Sequence, residues 1–287
     1  LKGTLQAIAN LEVSGLISVG GDSAISIPSA EKTLTYSGGD LDVGANTLSI
    51  EGAGTLSNSS DSALVLDVAD SILDLTGSGT VSGPVKLESG TLKSSGSPTI
   101  SGAITQSAAA TIEVSTDQTL TYSGAALNLG AYTLTMSGGG TLSNTNALVL
   151  NNAYSKLLLD SITVDNVSTS YASLGLDVDD DSTVSSLTVA HTTPVSITDG
   201  KTLSGAITVS AGSIKLGETG TLGSTVSMSG GTLDADETLT LSGALTQAGA
   251  ITIDVATGKT LTYSGAALSL GAYTLTMSGG GTLSNTN

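Results

Sequence analysis

Apolar and polar residues alternate in short runs along the whole chain. In 111–114 (TIEV), Thr119–Tyr122 (TLTY) and 133–136 (TLTM), the apolar residues Ile112, Val114, Leu120, Leu134 and Met136 take every second place, with Thr or Glu between them. A period of two sends successive side chains to opposite faces, so these runs predict strands with one face buried. Such runs, 127–129 among them, return every ~6 to 9 residues, and the Gly, Ser, Asn and Asp between them supply tight turns. Helical spacing is nowhere sustained.

The strand pattern is itself repeated. Residues 119–146 (TLTYSGAALNLGAYTLTMSGGGTLSNTN) recur at 260–287 with one change, Asn128 to Ser269, and the likeness extends upstream, so that about 89–146 answers 230–287 at an offset of 141. A diverged copy fills 33–75 at an offset of 86 from the second, and Asp61 and Ser62 form an insertion that the second copy lacks. Insertions are tolerated in loops and not in strands, which predicts a turn there.

One strand-and-turn pattern recurring over the chain is what stacked coils require, whereas sandwiches and closed barrels do not. The reading is all-β: a parallel β-helix (β-solenoid), right-handed by the rule for parallel crossovers, running as a single continuous segment over 1–287. With coils of ~18 to 22 residues, the offsets 86 and 141 correspond to ~4 and ~7 coils and the chain to about 13 to 15. At ~4.8 Å per coil this is a rod of roughly 60 to 70 Å. The second copy continues after Asn146 into ALVL where the chain stops at Asn287, which reads as a cut from a longer array.

Composition narrows the function. There is no Trp, Phe or Cys among the 287 residues, and all aromatics are Tyr. The core must therefore be built from Leu, Ile, Val and Ala, and thiolate metal sites, disulfides and thiol nucleophiles are excluded. The formal net charge of −17, with every cation a lysine, argues against nucleic acid and anionic membranes as partners. No apolar run is long enough for a membrane helix, so no membrane insertion is expected of this segment.

The motif GGTLDADETLTLSGALTQAGAITIDVATGKTLTYSGA (230–266) resembles the repeats of bacterial autotransporter passengers and large haemagglutinin-type surface adhesins. That resemblance implies an exported, extracellular stalk at the bacterial cell surface. It would be structural or adhesive, with a host or neighbouring cell surface or polysaccharide as target; separately, the lack of a polar cap at Asn287 predicts adjacent repeats or further copies of itself as partners, by covalent continuation or end-to-end assembly.

Candidate chemistry is sparse. Asp177, Asp179, Asp180 and Asp181 could offer oxygen ligands to calcium, but DVDDDS lacks the glycine and the distal glutamate of the EF-hand loop. Asp40 and Asp42 form a second carboxylate pair, replaced by Ala126 and Asn128 in the next copy. His191 has no partner at a defined spacing, and neither a GxSxG elbow nor an SxxK pair occurs. No catalytic residue and no cofactor other than calcium is assigned, and no enzymatic activity is expected. A polysaccharide-active β-helix, which would want paired carboxylates and aromatic platforms, is the least favoured alternative. Pairs such as Thr33 and Thr35, Thr119 and Thr121, or Thr133 and Thr135 raise an ice-binding alternative, which would need such pairs on one face of most successive coils. In sequence they cluster in two or three places per repeat.

Overall fold

The computed structural model describes residues 1–268 and 270–286; Ser269, where the two long copies differ, and Asn287 lie outside the described residues. The chain divides into two compact units, Leu1–Leu148 and Val149–Asn287. Both are parallel β-solenoid, about 13 turns in all, with no helix among the described residues.

In the first unit, one face is a sheet of seven strands, one from each coil: Gly3–Gln6, Ser23–Ile27, Thr47–Gly52, Ile72–Leu75, Thr91–Ser94, Ala110–Val114 and Thr133–Ser137. A second face runs from Leu11–Val13 through Thr33–Tyr36, Thr55–Asn58, Thr80–Val81, Thr99–Ile100 and Thr119–Tyr122 to Thr141–Asn144. A narrower third face carries Leu41–Asp42, Leu64–Leu66, Val85–Leu87 and Ile104–Gln106. In the second unit, the strands Thr163–Thr169, Ser182–Val189 and Thr202–Val209 each extend over what later coils divide into two shorter strands, such as Thr221–Leu222 and Thr225–Met228.

The alternation seen in the sequence becomes columns. Leu48, Leu73, Leu92, Ile112 and Met136 stand in register on five successive coils, all fully buried. On the second face Leu34, Leu56, Val81, Ile100, Tyr122 and Asn144 form another inward column. Each leucine in such a column contributes about 1.5–3 kcal/mol by leaving water, most of it offset by the cost of ordering backbone and side chain. Aliphatic residues fill most places in these columns, in keeping with the aromatic-poor composition.

Tyrosine is the exception, and it serves a polar need. The Tyr122 hydroxyl accepts the N–H of Ile104 at 3.1 Å and donates to the Ala125 carbonyl. Tyr263 repeats the arrangement with the N–H of Leu245 at 3.2 Å and the Ala266 carbonyl. Asn58 works similarly, its buried Nδ2 donating to the carbonyls of Ser62 at 2.9 Å and Pro84 at 3.0 Å. Corner groups that no neighbouring strand can pair are satisfied in this way. The predicted turn is also present: residues 60–62 lie between strands, with Ser62 N–H bonded to the Ser59 carbonyl.

Coil length differs from expectation. Register partners are 19 to 25 residues apart; the steps Ser23 to Leu48, Thr47 to Ile72, Ala110 to Leu134 and Ile251 to Leu275 are the long ones. Turns absorb the extra residues. The offset of 86 is also not a whole number of coils, for Thr33 stands in column with Thr121, 88 residues on, whereas its sequence copy is Thr119. The two-residue slip is permitted because it is even, so every inward side chain remains inward.

Candidate functional site

A shallow groove of about 200 Å³ in the first unit is lined by Leu16, Ile17, Ser18 and Val19 on one wall and Asp40, Asp42 and Gly44 on the other. The strand Leu41–Asp42 holds Leu41 in the core, so Asp40 and Asp42 fall on the outward side by the period of two. The two carboxylates are used differently. Asp40 Oδ2 receives Lys86 Nζ at 2.6 Å and its Oδ1 receives the N–H of Ala63 at 2.8 Å. Lys86 lies two coils from Asp42, with Val65 between them, so the pair clamps three coils.

That clamp separates the acidities of two neighbouring aspartates. The hydrogen bond from Lys86 holds the Asp40 carboxyl below its usual value, against some opposing desolvation and with help from the Ala63 N–H. Asp42 is pushed the other way, first by desolvation and then by the charges of Asp67 and Asp40. Asp40 therefore adds stability at pH above its unfolded value, lost as pH falls through its lower folded value. Asp42 costs stability while ionised, and that cost is relieved as pH falls through its raised folded value. Carboxyl-carbon NMR titration is expected to place the Asp40 midpoint below 3.8 and the Asp42 midpoint above it. In a Lys86→Met variant the Asp40 midpoint should rise.

The four aspartates at 177–181 are not brought together around a common centre. Asp177 sits outward on Gly175–Val178 and pairs with Lys156 of the adjacent coil. Asp180 takes Lys201 Nζ at 2.7 Å, and this bond, with the N–H of Asp181 and the Ser161 hydroxyl, holds its carboxyl below the usual value. Asp181 receives the N–H of Thr202 at 2.7 Å, while Asp179 is exposed. Among the described residues no group of three or more His, Asp or Glu is placed to hold a metal ion. Three of these carboxylates act within or between coils instead. His191 is exposed at a turn, its carbonyl accepting the Thr193 hydroxyl at 3.0 Å.

The ion pairs follow one rule that sequence reading missed. Lys86, Lys93, Lys156, Lys201, Lys215 and Lys259 each reach a carboxylate on another coil. Partners 19 to 22 residues apart, or 46 for Lys86 and Asp40, carry no local signal; only the coil register makes them neighbours. Half-exposed pairs of this kind contribute about 0–1 kcal/mol each, so they select register more than they hold the fold. Replacing Lys93 by Met should accordingly move the thermal midpoint little, and less still at high salt, in a melt followed by circular dichroism.

A second shallow groove, of about 210 Å³, lies along Ala69, Ser89, Gly90, Ala109, Ala110 and Thr135 and carries no ionisable side chain. The hydroxyl pairs are placed on more than one face. Thr33 and Thr35, and Thr119 and Thr121, are on the second face; Thr133 and Thr135 are on the first. Compared with known proteins, the chain matches no family model, no curated protein and no solved structure. No helix among the described residues is long and apolar enough to cross a membrane.

Proposed function

We propose that the chain is a structural and adhesive stalk segment of a long extracellular surface or filament protein of bacterial type. The observation that carries this reading is the column construction. Inward residues are nearly interchangeable from coil to coil, and the outward lysines bind carboxylates of other coils. A wall built this way is extended by adding coils without redesigning its interior, which is what a stalk needs and a single catalytic centre does not. Its natural partners are adjacent repeats or further copies, because each coil satisfies the backbone of the next. Its proposed target is a cell surface or polysaccharide.

Two measurements test the two halves of the proposal. Antibodies raised against the chain are expected to label intact source cells at their outer surface; label confined to the cytoplasm would overturn the extracellular half. Beads coated with the chain should be retained on cells or immobilised polysaccharide more than albumin-coated beads. Equal retention would remove adhesion and leave a scaffold.

A further inference from the structure

The second face of the first unit carries a regular array of hydroxyls that the sequence does not display as such. Thr33, Thr55, Thr80, Thr99 and Thr121 stand in one outward column, one from each of five successive coils. Two places along each strand, a second column reads Thr35, Ser57, Ser82, Ser101 and Ser123. Counting only Thr-x-Thr pairs hides this, because most coils write the motif as Thr-x-Ser. The requirement of pairs on one face of most successive coils is met here once register is known.

Three properties distinguish the array from ordinary polar surface. No charged or large apolar side chain interrupts either column, and the first charge, Glu12, stands beside Thr35 on the preceding coil. None of the ten hydroxyls bonds to another protein group, unlike those of Ser23, Ser71, Ser94 and Ser224, which are tied to carbonyls. The threonines of the first column are half-buried by their own neighbours, and β-branching restricts their χ1.

Along each column the repeat is close to a spacing found in hydrogen-bonded water. Neighbouring coils are about 4.8 Å apart and alternate residues of a strand about 6.6 Å apart. Two water oxygens bonded tetrahedrally to a third at about 2.75 Å lie about 4.5 Å from one another. The mismatch along the column is about 0.3 Å per coil, or about 1.2 Å over its four steps, under half a repeat. Waters bound to these ten free hydroxyls are therefore held at close to the spacing of an ice lattice. Because the strands that carry the array are held in register by their neighbours, little backbone ordering is needed on contact.

We infer that this face binds the surface of ice, through water ordered on the paired Thr and Thr/Ser columns. The inference goes beyond the stalk reading and does not depend on it. The second unit has a partial counterpart in Thr202, Thr221, Thr240 and Thr262, but Gly223 breaks its companion column.

Partition of the fluorescently labelled 287-residue chain into slowly growing ice, with thermal hysteresis on the same samples, tests this. The native chain should be taken up by ice, and T80Y and T99Y, each placing a ring in the centre of the array, should each lose about tenfold or more, since flush engagement of many weak contacts is blocked. T105Y, on the third face, should behave as native. Circular dichroism on every variant confirms the fold, and T55Y replaces either array variant that fails to fold. Exclusion of the native chain from ice as complete as that of albumin would overturn the inference. So would native-like uptake of the array variants, or equal loss in T105Y.

Discussion

Replacing Gly102 by alanine is expected to lower the stability of the first unit by about 3 kcal/mol, the upper end of what overpacking usually costs. A Cβ at this position would lie 1.8 Å from the carbonyl oxygen of Gly83 and 2.3 Å from its carbonyl carbon. Gly83 is confined in turn, since a Cβ on it would lie 2.2 Å from the buried Asn58 side chain, and on the far side a Cβ on Gly124 would lie 2.3 Å from the Gly102 carbonyl oxygen. The atoms that a Cβ at 102 would meet are all backbone. Gly243 in the second unit, where a Cβ would lie 1.8 Å from the Ser224 carbonyl oxygen, should behave the same way. Gly258 separates this from conformational strain, having a φ of +75° with open space around it. Its alanine variant should lose only about 1 kcal/mol, the cost of a left-handed conformation. Urea midpoints followed by circular dichroism decide; equal losses at 102 and 258 would mean that φ, and not coil contact, governs these glycines.

Removing a single oxygen from the core is the second large effect. Tyr122→Phe keeps the ring in its column but leaves the Ile104 N–H and the Ala125 carbonyl without their partner. A buried donor left unsatisfied costs about 1–3 kcal/mol, and Tyr263→Phe should cost a similar amount through Leu245 and Ala266. Tyr132→Phe, with 37% of its surface exposed, should change little. Hydrogen exchange reads the cause directly, because the Ile104 amide should exchange faster in Tyr122→Phe while amides in the middle of Thr91–Ser94 keep their protection. An unaltered Ile104 amide would show that the hydroxyl bond carries no stability.

How much of this was legible depends on the range over which each signal acts. The strands 111–114, Thr119–Tyr122 and 133–136 were readable because alternation is a local property, and the structure finds them within one residue at each end. Tyr36, Tyr122 and Tyr263 share one position of the repeat, but the task of such a residue is not local, since Tyr122 bonds a residue 18 places away on the preceding coil. The aspartates at 177–181 drew attention as a cluster in sequence. In the fold the strand alternation and the turn point them apart, and their partners are Lys156, Lys201 and the Thr202 amide. The outward hydroxyls show the same limit, for Thr80 and Ser82 have no Thr-x-Thr motif and join the array only because Thr55 and Thr99 flank them.

By itself, then, the sequence determined that the chain is a repetitive parallel β-solenoid, which residues point inward and that the core is built almost entirely from aliphatic side chains. Periodicity and composition are properties of each strand alone. The tertiary structure decided register: coils of 19 to 25 residues, an even slip of two between copies, which lysine meets which carboxylate, and which hydroxyls form columns. Register is a relation between residues about one coil apart, and it is chosen by the summed fit of inward columns, glycine contacts and corner hydrogen bonds. No short stretch of sequence contains that sum.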